Sequence, residues 1–158
     1  MNSSPPTPHP SLSYKRPESV LVVIHTPHGE VLQLRRCEPP DFWQSVTGSL
    51  LPDETPRQAA LREVREETGF LADHGLADSG IVNRYPIHRA WLAKFAAGTK
   101  ENVEHVFSWQ LPAIDAVRIN PKEHLEYRWV LRDEAIKLAS SATDRDAILK
   151  LVPERSEV

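Results

Sequence analysis

Residues 48 to 70 read Gly48-Ser-Leu-Leu-Pro-Asp-Glu54-Thr-Pro-Arg-Gln-Ala-Ala-Leu-Arg62-Glu63-Val64-Arg-Glu66-Glu67-Thr-Gly69-Phe70. Thr55 has the side chain of a helix N-cap, Pro56 suits the first helical position, and Gln58 stands where it closes a capping box. Gly69 falls where a helix end takes a positive φ. The spacing predicts a helix from about Pro56 to Thr68. At roughly 100° per residue, Glu63, Glu66 and Glu67 gather on one side of it, while Ala60, Leu61 and Val64 point elsewhere and can bury against a core. Small Ala59 is expected beside the acidic face, leaving room there for a ligand.

Gathering three acids does not stabilise a helix. Glu63 and Glu67 stand one turn apart, and like charges at that spacing cost roughly 0.2 to 0.5 kcal/mol. A counter-charge is implied, and carboxylate oxygens suit hard cations, chiefly Mg²⁺ with Mn²⁺ as substitute. Mg²⁺ usually sits on one or two carboxylates, several waters and the phosphates of a substrate. The combination describes metal-assisted hydrolysis of a phosphate anhydride. The competing reading is a solvated acidic face with Arg62 and Arg65 as its partners.

The length of the pattern separates these readings. The segment resembles the Nudix box, G-x5-E-x7-R-E-U-x-E-E-x-G-U with U apolar, and every constrained position is filled. A chance match in one chain is on the order of one in ten million or rarer. The resemblance implies that Glu63, Glu66 and Glu67 hold divalent ions, and that Glu54 and Arg62 pair to orient them, as groups behind metal ligands do. Glu54 either keeps to that role or touches a metal through water. The chain departs from the commoner box in its first loop, where Ser49 and Asp53 stand at frequent glycine positions and Leu50-Leu51-Pro52 carries no acid. That loop is expected to turn differently and to bind one fewer outer metal.

The rest of the chain bounds this reading. One hundred and fifty-eight residues suit a single domain, here set at 14–152. A Pro- and Ser-rich tail is expected over 1–13 and a short tail over 153–158. Net charge of −3 with no dense basic stretch argues against nucleic acid as a partner. No run has the length of a membrane span, and the single cysteine, Cys37, fits a reducing cytoplasm. Monomer and homodimer both stay open.

Ser19 to His25 is a β-branched apolar run, expected as a strand buried on both faces. Thr26-Pro27-His28-Gly29 turns it into a second strand over Val31 to Arg36. Trp43 to Thr47 is a short extended piece. Ile81 to Phe95 reads as broken strands interrupted by Pro86, Val103 to Leu111 as another strand, and Tyr127 to Val130 as a short one. Arg132 to Ser140 and Thr143 to Leu151 read as closing helices. The order suggests an α/β/α sandwich on a mixed sheet, which is also the Nudix-type fold.

The flanks narrow the resemblance. Tyr14-Lys-Arg-Pro17, Asp41-Phe-Trp-Gln-Ser-Val-Thr-Gly-Ser49, Glu123-His-Leu125, Tyr127-Arg-Trp129 and Asp144-Arg-Asp-Ala-Ile148 are similar to the branch of that family acting on dihydroneopterin triphosphate in bacteria. The resemblance implies release of pyrophosphate and dihydroneopterin monophosphate, a step toward folate. It further implies Lys15 and Arg35 as cations on the triphosphate, Thr47 and Ser141 as substrate contacts, and Glu123 as a metal ligand or general base outside the box. Arg36, on the opposite strand face, is the fallback for Arg35. Each of the four substrate positions has an ordinary reading as well, as a strand-end charge or a strand or loop residue. Glu101 and Glu104 compete with Glu123, and His124 is placed to tune it. Trp91, Trp109 and Trp129 read as core, while Phe42 and Trp43 either line a heterocycle pocket or pack. Two other functions stay in view: a nucleoside or deoxynucleoside triphosphate pyrophosphohydrolase with the same site, and a catalytically dead nucleotide-sensing module, against which the complete acidic set speaks.

Overall fold

In the computed structural model, which describes residues 14–154, the β-branched run becomes the central strand β1 (Glu18–His25), buried from Ser19 onward. Its alternate side chains enter two separate cores, as the period of a strand requires. Val20, Val22 and Ile24 join Leu32, Leu34, Val46, Leu50, Val64 and Phe107 on one face. Leu21 and Val23 join Val31, Val106, Ala147 and Ile148 on the other. The expected tail over 1–13, and 155–158 of the C-terminal one, lie outside the described residues.

Gly29, at φ 81°, closes the turn into β2 (Glu30–Arg36). The two strands share only the pair His25↔Val31. Farther along, β1 receives β4 (Val46–Ser49) in place of β2, while β3 (Trp43–Gln44) stays on β2. The box helix α1 (Pro56–Thr68) follows, then β5 (Ala77–Pro86), a 3-10 helix (Arg89–Lys94) and β6 (Glu101–Gln110). β7 (His124–Leu131), α2 (Arg132–Leu138) and α3 (Ala142–Leu151) complete the chain. The sheet has seven strands in the order β3-β2-β1-β6-β5, with β4 also on β1 and β7 on β2. β6 runs parallel to β1 and the other pairs are antiparallel, so the sheet is mixed. α1 covers the first core, and α2 and α3 cover the second, which makes the expected α/β/α sandwich.

The caps of α1 form as the sequence signals. Gln58 N–H donates to Thr55 Oγ1 at 3.2 Å, Thr55 N–H donates to Gln58 Oε1 at 3.0 Å, and Gly69 sits at φ 80°. Ala59, Ala60 and Val64 are fully buried. A buried valine contributes about 1.5 to 3 kcal/mol, which outweighs the repulsion between Glu63 and Glu67.

Four expectations are corrected. Ala59 leaves no ligand space, because it is fully buried in the first core beside Ala60 and Val64. The region Ile81 to Phe95 is one strand ending at Pro86, followed by the 3-10 helix. β5 begins earlier, at Ala77, and its polar start is hidden by an irregularity between Asp78 and Val82 around Gly80, at φ 77°. Trp91 therefore stands on the 3-10 helix, half-buried, and not in a core strand. β7 starts at His124, ahead of the expected Tyr127, because its first turn pairs with β2 across a bulge at Arg35/Arg36. No described helix is long and apolar enough to cross a membrane.

Candidate active site

The loop entering α1 is built around Arg62. Its guanidinium grips Glu54 in a two-pronged pair, Nε and Nη2 each 2.8 Å from a carboxylate oxygen. Nη1 reaches Glu63 Oε1 at 2.8 Å and Glu66 Oε2 at 3.2 Å, and Nη2 also donates to Ser49 O at 3.0 Å. Glu54 in turn accepts the Leu51 N–H at 2.9 Å, and Arg16 donates to the carbonyls of Leu51 and Glu54. The loop turns at Asp53, at φ 63°, a left-handed position that Asp tolerates better than most side chains. The hydrogen bonds from Arg62 hold the Glu54 carboxyl below its ordinary range and raise the guanidinium further.

The acidic residues of α1 do not share one environment. Glu66 is exposed, whereas Glu63 and Glu67 are 8 % and 1 % exposed. Both Glu67 oxygens are buried without a hydrogen-bond partner. Burial, then the charges of Glu63 and Glu123, pushes its carboxyl well above the usual range. Burial raises Glu63 too, with Arg62 opposing the rise. The effective penalty for an ion buried without a partner is several kcal/mol. Orphaned carboxylate oxygens of this kind fit a hard divalent cation, which would satisfy Glu67 and cancel its repulsion from Glu63.

Glu123 comes to this cluster from the other end of the chain. Its backbone carbonyl accepts the Cys37 N–H at 2.9 Å, which fixes the loop before β7 to the end of β2. Glu67, Glu123 and His124 bring donor atoms within 4.8 Å of one another. His124 is 3 % exposed, with Nε2 3.7 Å from Glu67 Oε1 and 3.3 Å from Gln44 Nε2. Burial, with the nearby Arg36 charge, lowers its pKa to about 4, so the ring is neutral at pH 7. The competing acids lie elsewhere. Glu104 accepts from Asn83 Nδ2 at 3.1 Å and Tyr85 OH at 3.2 Å. Exposed Glu101 pairs with Arg84 at 3.6 Å.

The expected substrate contacts divide. Lys15 stands at the cluster: its pKa is lowered by partial burial, then by Lys94 and Arg36, against the pull of Glu63 and Glu123. Arg35 is turned toward Pro40 O, at 2.5 Å, and Glu126, at 3.6 Å. Arg36 instead reaches Gln44 Oε1 at 3.5 Å. The Thr47 hydroxyl donates to Val20 O at 2.8 Å. Ser141 caps α3, accepting the Asp144 N–H at 3.4 Å, and no described hydrogen bond links it to the acidic cluster. Gln44 and Lys94 escape a reading of the sequence, because neither stands in a metal or phosphate motif; the sheet brings Gln44 to His124, and the 3-10 helix brings the Lys94 carbonyl to the Lys15 N–H.

A family model of the NUDIX domain matches residues 15–152. The chain belongs to the Nudix family of hydrolases. It is 39% identical over 143 residues to the dihydroneopterin triphosphate diphosphatase of Escherichia coli strain K12, covering 88% of this chain and 94% of that one. Identity to the enzyme of the same name from Haemophilus influenzae is 35% over 144 residues, covering 88% and 89%. The solved structure of the E. coli dihydroneopterin triphosphate pyrophosphohydrolase superimposes with a TM-score of 0.83 at 38% identity, over 88% of this chain and 97% of that one.

Proposed function

We propose that this chain hydrolyses dihydroneopterin triphosphate to dihydroneopterin monophosphate and pyrophosphate, in the direction of folate. The observation that carries the reading is likeness along nearly the whole length, 94% of the E. coli relative at 39% identity. Similarity confined to the box would support the reaction class alone, since substrate choice lies outside it. The orphaned, buried Glu67 supports a working metal site.

In this reading Glu63, Glu67 and Glu123 hold Mg²⁺, with Mn²⁺ as substitute, and exposed Glu66 takes an outer position. The bound cation supplies neutralisation of phosphate charge and a water of lowered pKa. Arg62, braced by Glu54, sets the Glu63 carboxylate. Glu123, the one exposed member of the inner trio, is also placed to take a proton from the attacking water. Lys15 binds the phosphate chain. Arg35, Thr47 and Ser141 act at most from the periphery, because other groups hold their side chains. The domain spans 14–152 and works on a small-molecule triphosphate in the cytoplasm, as monomer or homodimer and without nucleic acid.

The test is pyrophosphate release with Mg²⁺, comparing dihydroneopterin triphosphate with GTP, dGTP, ATP and dATP. A kcat/KM preference for the pterin of tenfold or more, about 1.4 kcal/mol in transition-state binding, is expected. A flat profile or a purine preference would move the protein to nucleotide clean-up with the same metal chemistry.

A further inference from the structure

The second core stops short of one end of the sheet. Leu21 and Val106 lie side by side in it, on β1 and β6. Two residues along, on the same face, Ser49, Ser19 and Glu104 form a row across β4, β1 and β6, and Asn83 on β5 continues it. Asn102 and Tyr85 make the next row. The face therefore turns from aliphatic to polar within one step, yet Glu104, Asn102 and Ser19 are only 3 %, 6 % and 7 % exposed. Asn83, Tyr85 and Ser49 are half-buried, so the row meets solvent beside Glu104.

Glu104 accepts Asn83 Nδ2 at 3.1 Å on one oxygen and the Tyr85 hydroxyl at 3.2 Å on the other. Asn102 Nδ2 donates to Ser19 Oγ at 2.8 Å and to Tyr85 OH at 3.0 Å. Among the described residues no hydrogen bond reaches Asn102 Oδ1, and no cation pairs with Glu104. Burying a carboxylate without a counter-charge costs several kcal/mol. A carboxylate offers about four lone-pair sites, so each Glu104 oxygen can take one more donor. What the cluster leaves open is acceptors alone, which suits a ligand edge made of donors. The acidic site is within a ligand's length. Pro17 O accepts the Val103 N–H at 3.1 Å, between Asn102 and Glu104 and two residues after Lys15. Gly48, next to Ser49, abuts the Glu63 carboxyl. Glu104 lies about 10 Å, two strand spacings, from the strand of Gly48.

We propose that Glu104, with Asn102 beside it, reads the 2-amino-4-oxopyrimidine edge of the substrate ring, the carboxylate accepting the ring N–H and the 2-amino group together. Two adjacent donors on the ring match two carboxylate oxygens, a charge-assisted pair. Adenine presents a bare ring nitrogen beside its amino group and would set lone pair against lone pair. Glu104 is a specificity residue in this assignment and takes no part in the metal chemistry. The proposal rests on the pterin reading above for the ring that is met. Guanine carries the same edge, so Glu104 separates pterin and guanine from adenine and not from each other.

The experiment is titration calorimetry of the full chain with GTP and with ITP, which lacks only the 2-amino group, with Ca²⁺ in place of Mg²⁺ to hold back turnover. The parent is expected to bind GTP about tenfold or more tighter than ITP, the scale of one hydrogen bond to a charged group. Glu104→Gln turns an amide donor toward that edge, so GTP should weaken to about the level of ITP while ITP changes little. Glu101→Gln, an exposed acid on the same strand, is the control and is expected to bind GTP as the parent does. In turnover of dihydroneopterin triphosphate, Glu104→Gln should raise KM and leave kcat nearly unchanged, as loss of uniform binding does. Equal affinity of the parent for GTP and ITP would overturn the assignment without any variant having to fold. So would an absence of GTP binding, or a GTP-to-ITP ratio that survives Glu104→Gln. A chain that separates GTP from ITP but shows no preference for the pterin would keep this assignment and lose the pterin reading, so the two fail separately.

Discussion

Gly48 and Glu63 occupy one space: a Cβ on Gly48 would lie 2.2 Å from both Cδ and Oε1 of the Glu63 carboxyl. The first glycine of the box is therefore required by the packing of a carboxylate against strand β4, and its own backbone φ is not in the left-handed region. Gly48→Ala must push Glu63 away from the cluster. A displacement of about 1 Å at a site of this kind costs on the order of 100-fold in rate. Turnover should fall by about that factor, and the metal affinity read by calorimetry should fall with it. A rate within threefold of wild type would show that the site does not need Glu63 where it stands.

Arg62→Lys keeps the charge and loses the fork. Lysine cannot match the paired 2.8 Å bonds to Glu54 while also serving Glu63 and Ser49 O. Losing hydrogen bonds to charged groups at a half-buried site should lower stability by about 1 to 3 kcal/mol. Activity should drop at least tenfold, and urea unfolding beside a kinetic assay reads both effects.

Glu67→Gln should separate stability from function. The folded pKa of Glu67 is raised, so its contribution is full at low pH and is lost as pH climbs above the ordinary 4.5 toward the folded value. In chelator the parent should lose melting temperature over that rise, and Glu67→Gln should lose less. The variant should nevertheless retain little turnover with Mg²⁺, because it lacks the buried charge for the cation. Matching pH profiles in chelator would mean that Glu67 is not strained when metal-free.

Glu123→Gln and Glu104→Gln address the acid outside the box. Glu123 shares the cluster with Glu67, and Glu104 is bound to Asn83 and Tyr85. Glu123→Gln should lower turnover at neutral pH by at least about tenfold, the lower end of what general-base or ligand loss gives. Glu104→Gln should change stability more than rate. The opposite ranking would transfer the role to Glu104.

His124 has the opposite pH sign from Glu67. Its pKa falls from 6.5 to about 4 on folding, so its contribution is present above 6.5 and lost as pH falls through 4. That loss amounts to about 3 kcal/mol. Chelated His124→Gln should therefore be less acid-sensitive than the parent in urea unfolding between neutral pH and the low end of that window. Equal acid sensitivity would mean that His124 titrates near its ordinary value.

What the sequence by itself determined was local. The caps of α1, its bounds, the two-faced strand β1 and the box spacing depend on contacts within a few residues, and all are legible in the string. Even so, the sense of the acidic face was not: whether Glu67 met solvent or β4 depended on how α1 docked, and Ala59 went with it into the core. The partners of that face were set by pairings that no local pattern encodes. The bulge at Arg35/Arg36, where β2 pairs with β7, separates the two arginines: Arg35 turns to Glu126 and Arg36 to Gln44. The Cys37–Glu123 backbone bond brought in Glu123 and His124, and a 3-10 helix read as broken strand brought Lys94 to Lys15. Charges act through space, and only the tertiary structure says which charges share that space.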